Sequence, residues 1–388
     1  MKLFREFFLL TAAFGLLAPV SVEAGGSNHS SHHGRHSGHG HGGDTSPSTM
    51  IMGKSTFVVG GVDGVPRDET VFNYETRIMG MTSFTGQDML KTAIRVGNFG
   101  MQDPFGMGMM GMGGEARLGT AFSSTNNLEL HKAFYQFPLG EDIQITFGPR
   151  LRQDDLLGVW PSSYPKDEIL FVLNQAGASD TYSKNMGAGA GITWSNGKLV
   201  ASSVLIAEDA DDATRGILQD DSSDIITNQL AWVDDSYTIA LAYTNADNGN
   251  TTATPDADEY SSFGLSGTYK FSNDSKAMPS SISAGMGWKN PDNEDDPDTA
   301  ANSVEDGHTW TLGVLWNDAF IDGNNLGFAI GTAETHRDDS GYEDPLAWEV
   351  FYDLAANDSV RITPAFFFIE QDGADDISGA LVKTTFSF

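Results

Sequence analysis

Tyr237-Thr238-Ile239-Ala240-Leu241-Ala242-Tyr243-Thr244 alternates strictly between large apolar and small residues. One face of such a strand carries Tyr237, Ile239, Leu241 and Tyr243, and the other Thr238, Ala240, Ala242 and Thr244, because successive side chains point to opposite sides. Three other stretches repeat the arrangement. Trp310, Leu312, Val314 and Trp316 oppose Thr309, Thr311, Gly313 and Leu315. Leu326, Phe328 and Ile330 oppose Asn325, Gly327, Ala329 and Gly331, and Leu346, Trp348, Val350, Tyr352 and Leu354 oppose Ala347, Glu349, Phe351, Asp353 and Ala355. A soluble β-sandwich also alternates. Here, however, Trp and Tyr bracket the apolar face, as they do at membrane–water interfaces. The opposite face reads as a wet lumen, being rich in Gly, Ala, Thr and charge.

Outward from this segment the pattern recurs about sixteen times between Ser55 and Phe388. Strands are predicted over 55–63, 69–84, 88–98, 127–138, 143–151, 185–195, 198–208, 224–235, 236–247, 259–271, 281–291, 307–318, 324–337, 346–356, 360–371 and 376–388. The expectation is an all-β fold: a transmembrane antiparallel up-and-down β-barrel of 16 strands, with 14 as the alternative count. Short and long connections alternate, which puts both chain ends on the short-turn side, as in bacterial outer-membrane barrels. Residues 115–123 also look strand-like. Counting them as a spanning strand would break the parity, so they are assigned to the connection 99–126.

Three segments follow along the chain. Residues 1–24 read as a signal peptide: Lys2 and Arg5 precede a short apolar run, and small residues end at Ala24. Residues 25–53 form a disordered Gly/Ser/His-rich tail with nothing apolar to bury. Residues 54–388 form the outer-membrane barrel domain. The tail histidines His29, His32, His33, His36, His39 and His41 suit Zn²⁺, Ni²⁺ or Cu²⁺ chemically, but their spacing fixes no geometry, so a plain flexible tail is the competing reading.

Acids outnumber bases 53 to 22, for a net charge of −31, which argues against nucleic acid as a partner. Cysteine is absent from the sequence, so disulfide and thiolate chemistry are unavailable. No cofactor motif occurs. His131, His308 and His336 lie outside the tail, and none sits in a hydrolase-like context. The reading is therefore a non-enzymatic channel.

A sixteen-stranded barrel encloses water, so function rests on what narrows and charges the lumen. The connection 152–184, with Asp154, Asp155, Trp160, Tyr164, Lys166, Asp167 and Glu168, is expected to fold inward as a constriction; an external loop or a trimer latch is the alternative. Pore-lining charges are expected at Glu75, Arg77, Lys91, Arg95, Arg150 and Arg152. A basic wall facing an acidic loop (Asp154, Asp155) would set up a transverse field. Lys270, Lys289, Glu349, Asp353, Arg361 and Lys383 fall on later lumen faces. Met101, Met107, Met109, Met110 and Met112 could bind Cu(I) through thioethers, or could belong to a pliable plug. Acidic runs at 208–221 and 292–298 are expected in external loops.

Three stretches resemble OprB-like porins, especially the cyanobacterial major outer-membrane porins labelled iron-uptake or carbohydrate-selective. They are T-S-F-T-G-Q-D-M-L-K-T-A-I-R-V-G-N-F at 82–99, L-E-L-H-K-A-F-Y-Q-F-P-L-G-E-D-I-Q-I-T-F-G at 128–148 and N-M-G-A-G-A-G-I-T-W at 185–194. The resemblance implies a homotrimer in outer-membrane lipid passing small solutes: ions, sugars or iron. Many such cyanobacterial proteins carry an S-layer-homology domain, for which residues 25–53 are too short. The terminal Phe388 on an amphipathic strand resembles the signal read by the barrel assembly machinery. A structural or adhesive barrel with a plugged lumen is the second function class.

The tail offers a direct check. If it holds Zn²⁺, its imidazole NMR resonances shift on titration at mildly acidic to neutral pH; resonances unmoved by excess Zn²⁺ leave it a plain tail.

Overall fold

A computed structural model describes residues 46–65, 68–100, 103–106, 116–166, 168–219, 222–248, 259–272, 278–291, 306–333, 336–337, 345–371 and 374–388. Every spanning element is a β-strand, and every ladder is antiparallel. The strands are Ser48–Asp63, Val71–Ser83, Met89–Gly97, Glu129–Leu139, Ile143–Arg152, Met186–Asn196, Leu199–Ala207, Ser223–Val233, Tyr237–Asn248, Tyr260–Lys270, Ser281–Pro291, Gly307–Asn317, Asn325–Thr332, Leu346–Asn357, Val360–Ile369 and Ile377–Ser387. A two-residue segment, His336–Arg337, resumes the thirteenth strand: both pieces pair with Gly307–Asn317. Each strand pairs with its sequence neighbours, and the last pairs with the first, from Lys54↔Ser387 to Asp63↔Ser378. The sheet is therefore a closed barrel of sixteen staves. Closure matters because no water in hydrocarbon can satisfy an open strand edge.

The exposed row matches the alternation. Ile239 and Leu241 are 51% and 50% exposed, whereas Ala240 and Ala242 between them are 0% and 1%. Aromatic rings pair across neighbouring strands near both ends of this apolar band. Tyr237 sits opposite Tyr269 at one end, and Tyr243 opposite Phe263, itself opposite Trp288, at the other. Tyr243 lies six residue steps beyond Tyr237, about 20 Å at roughly 3.4 Å per step, comparable to the apolar band of an outer-membrane barrel.

Two expectations change. The first strand begins at Ser48, so residues 48–53, assigned to the tail, instead pair with 78–83. Met50 and Ile51 extend the exposed apolar surface there. The other change concerns the inward faces. Ala240, Ala242, Thr244, Ala329 and Glu349 are buried rather than wet, because chain from the long connections lies against them.

The chain end is locked to the start of the barrel. Gly53 N–H donates to Phe388 O at 2.6 Å, and Phe388 N–H donates to Gly53 O at 3.0 Å. A side chain at Gly53 would occupy the space of the Phe388 ring. Replacing Gly53 with Val should expel that ring and cost about 1–3 kcal/mol of barrel stability, as overpacking does. The readout is a lower temperature for the heat-induced mobility shift on SDS gels; an unchanged transition would refute the steric account.

Candidate functional site: two inward loops and a cationic cluster

Two connections fold into the barrel. In the 153–184 connection, a single helical turn, Gln153–Leu156, follows the fifth strand, and a 3-10 turn, Val172–Asn174, lies farther on. Asp155 starts the helical turn by accepting from Arg152 N–H at 2.9 Å. Gln153, fully buried, ties the two ends of the connection together: its Nε2 donates to Thr181 O (2.8 Å) and Thr227 Oγ1 (2.7 Å), and its Oε1 accepts from Lys184 N–H (3.2 Å).

The inward faces of the strands are built to receive this backbone. Thr244 Oγ1 donates to Thr181 O at 3.0 Å, Ser266 Oγ to Ala176 O at 2.6 Å, Thr268 Oγ1 to Pro161 O at 3.2 Å and Thr309 Oγ1 to Gly177 O at 3.0 Å. Such bonds compensate carbonyls removed from water. Where no hydroxyl lies below, glycine leaves room: the Gly191 face abuts Leu156, and the Gly313 face abuts the Tyr164 ring. The small inward residues, read from sequence as lining water, are thus a docking strip.

The farther side of the connection is held by charge. Glu349, with no exposed surface, accepts from Tyr164 Oη at 2.7 Å and from Leu170 N–H at 2.6 Å. Lys383 contacts Glu168 Oε2 at 3.0 Å and donates to Glu168 O at 2.9 Å. Burial, with the neighbouring Glu349 charge, raises the Tyr164 hydroxyl well above its ordinary range, so it remains the donor.

The described part of the 99–126 connection is inside as well. Phe99, Phe105, Ala116 and Leu118 are buried with Ile169, Leu170, Phe351 and Phe367. The two connections pair edge to edge at Leu118↔Leu170; Gly119 N–H donates to Ile169 O (2.7 Å) and Phe171 N–H to Arg117 O (2.8 Å). The strand-like look of 115–123 therefore has a physical basis in this short internal ladder. The Met positions 101, 107, 109, 110 and 112, the tail histidines, Asp167, and the acids at 220–221 and 292–298 lie outside the described residues.

The candidate pore charges assemble into two groups. Glu75 is buried and accepts from Arg77 Nε (2.8 Å) and Arg95 Nε (2.6 Å); Arg95 also donates to Thr120 O at 2.9 Å and lies 4.4 Å from the Phe122 ring centroid. In the other group, Arg152 grips Asp154 through two bonds (2.7 and 2.8 Å), and Lys166 joins Asp154 at 3.0 Å. Lys132 binds both oxygens of Asp155 at 2.6 Å, with Lys91 at 4.0 Å. The acids thus sit against the basic wall itself, not across the lumen from it, and the expected field between a basic wall and a separate acidic loop gives way to interlocked pairs.

Arg150 behaves differently. The register slips by one residue between Gly148 and Leu151, and Leu151 takes the inward place beside Gly189 while Arg150 is exposed. A second bulge has the opposite effect. His131 is the extra residue between Leu130↔Ile94 and Lys132↔Ala93. His131 packs edge-on to Phe122 (5.5 Å between centroids) while Lys132 reaches Asp155, so two successive residues turn inward. Strict alternation could not reveal Lys132. Arg117 and Lys184, also missed, lie in connections where no periodicity applies. The two stretches at 82–99 and 128–148 meet in space: Asp88 accepts from Ser83 Oγ and the Phe84 and Thr85 N–H groups (2.8–2.9 Å), and Tyr135 Oη donates to it at 2.5 Å.

A closed sixteen-stranded barrel narrowed by inward loops is the architecture of a porin. Among solved structures, Pseudomonas putida OprB superposes with TM-score 0.61 at 12% identity, covering 89% of this chain and 95% of that one. An engineered variant of the Rh. blastica porin gives 0.54 at 13%, covering 88% and 100%. At such identity the likeness shows the fold. No family model matches the sequence. Among curated proteins, the uncharacterized protein alr4550 of Nostoc sp. is 25% identical over 88% of this chain and 66% of its own length. The uncharacterized protein sll0772 of Synechocystis sp. is 26% identical over 32% and 22%. The chain thus spans less than two thirds of the length of these relatives.

Two outcomes follow for the inward loop. Glu349→Ala should remove about 1–3 kcal/mol of anchoring and speed proteolysis within 153–184 while the barrel stays intact; unchanged protection would show the anchor to be idle. Burial pushes the Asp154 carboxyl up, but Arg152, Lys166 and Lys132 outweigh it and hold it well below the usual range. A depressed carboxyl contributes its stability above its unfolded value and loses it only as pH falls through the folded one. Pepsin digestion should therefore leave the loop intact at about pH 4, where ordinary carboxylates are half protonated, and cut it only in stronger acid.

Proposed function

We propose that this protein is an OprB-like outer-membrane porin giving passive diffusion of inorganic ions and small hydrophilic solutes. The closed sixteen-stave barrel with two loops drawn inside carries the reading. The barrel supplies the passage, and the loops together with the charges at their bases reduce it to a filter. Lumen width and charge set permeability, with no chemical step and no cofactor. The Gram-negative type of outer membrane fits the apolar band and its aromatic rims. Sugars and iron remain within the solute range that the sequence resemblance implies.

Assembly as a homotrimer belongs to the same proposal. Ser55 Oγ and Thr76 Oγ1 bond each other at 2.9 Å on the outward face of the first two strands. Small polar residues there suit contact with a second barrel better than contact with acyl chains. Phe388, 61% exposed at the end of the last strand, is available to the barrel assembly machinery before closure.

The extent of inward packing favours one rival, a structural barrel with a plugged lumen. Planar-bilayer recording of the purified protein separates them. Steady, stepwise openings and liposome swelling that slows with increasing sugar mass are expected; persistent silence of correctly folded barrels would sink the porin reading in favour of the plug.

A further inference from the structure

Where the two inward loops meet, positive charge is in excess. Arg117 lies with its guanidinium carbon 4.0 Å from the Phe171 ring centroid, and Lys184 Nζ lies 5.3 Å from the same ring. Lys184 Nζ is also 5.1 Å from the Trp160 ring, and Lys166 Nζ is 4.0 Å from it. Arg152 completes the group through the carboxylate it shares with Lys166. Three cations thus lie over two aromatic rings, and a fourth, Arg152, adjoins them through Asp154, which it shares with Lys166.

Their engagements are unequal. Arg152 and Lys166 share Asp154, and Lys184 donates to Asn174 O (3.0 Å) and Oδ1 (2.5 Å), both uncharged. Arg117 has no carboxylate partner among the described residues, and its buried Nε has no hydrogen-bond acceptor. The Trp160 Nε1 donor is likewise buried and unpartnered. Burial first, then the charge of Arg152, bring the Arg117 group down to about 10, so it is still charged at neutral pH. A cation withdrawn from water without an anion is costly, and stacking on a ring returns only part of that cost. Unused donors beside like charges mark a place built for an anion.

We propose that the junction of the two inward loops is a binding site for a small oxyanion, with Arg117 as its principal ligand, Lys166 and Lys184 contributing charge, and the Trp160 indole N–H an available donor. An oxyanion offers what this set lacks: an acceptor for the buried Arg117 Nε–H, with the Trp160 indole N–H a further unpartnered donor at the same junction. A halide would match the charge but not the guanidinium fork. The site lies inside the barrel, beyond reach of a lipid headgroup, so its ligand is a solute. The transport consequence rests on the porin reading: anions are favoured at the narrowing although the whole chain carries −31. The acidic external segments do not set selectivity if the narrowest charged ring is cationic.

Binding is measured apart from conductance. Inorganic phosphate is titrated into detergent-purified protein and followed by ³¹P NMR and calorimetry. Saturable binding is expected, weakened about tenfold or more in Arg117→Gln, the scale of a charge-assisted hydrogen bond. Lys166→Gln, whose side chain is one-third exposed, should weaken it less while leaving the barrel folded. Arg215→Gln, on the external segment paired with Asp209, should leave it unchanged. No saturable binding, or equal binding in wild type and Arg117→Gln, overturns the site. The same preparations are recorded in bilayers under a KCl gradient, where a chloride-favouring reversal potential that relaxes in Arg117→Gln supports the site's role in transport. A cation-favouring potential unaffected by Arg117→Gln overturns that role. Retained phosphate binding in a silent barrel supports the site and refutes the porin reading instead.

Discussion

The whole molecule depends on one requirement: every backbone N–H and C=O of a lipid-facing strand must find its partner in the sheet. Pairing of Lys54–Asp63 with Ser378–Ser387 meets it by closing the ring. Closure fixes the number of staves and, with it, the width of the enclosed space. It also separates two faces exposed to unlike surroundings. The outer face must be apolar and rimmed by aromatic residues. The inner face is free to carry whatever the contents demand, and in this chain the contents are largely its own loops.

The inner face shows what that freedom is used for. Rows of Gly, Ser and Thr on the eighth to twelfth strands let loop backbone approach closely and give its carbonyls donors. Glu349 and Lys383, from the other side of the barrel, hold Tyr164, Leu170 and Glu168. The narrowing is therefore fastened at both ends by buried polar contacts and along its length by apolar burial of Leu156, Leu173 and Tyr182. Such loops resist displacement.

The barrel was legible because solvent and lipid impose their demands locally, residue by residue. Tyr237–Thr244 declares its outer face without reference to any other segment. The sixteen staves and most of their limits follow from that repetition. The inward fold of the 153–184 connection was also legible, from its length and its charged and aromatic residues. What misled was the assumption that a small, polar inner face means water. Thr244 and Ser266 look the same whether they face solvent or a carbonyl. The bulges at His131 and before Leu151 were equally silent, since one extra residue leaves no compositional mark yet turns Lys132 inward and leaves Arg150 exposed.

The sequence by itself determined which residues face lipid and that the two chain ends lie on the side of the short turns, and it narrowed the strand count to 16 or 14, between which closure of the sheet decided. Tertiary structure decided which charge meets which. Tyr164 and Glu349 are 185 positions apart, and no local pattern links them. Asp154 and Asp155 look in sequence like an acidic loop facing a basic wall, whereas in the fold Arg152 and Lys166 bond Asp154 and Lys132 bonds Asp155. Arg117 is an ordinary residue in the sequence. Only the meeting of two loops places it, unpaired by any carboxylate among the described residues, beside Phe171 and near Lys184 and Arg152. Alternation is set by the medium on either side of one strand, whereas the partners of a buried charge are set by closure of the entire sheet.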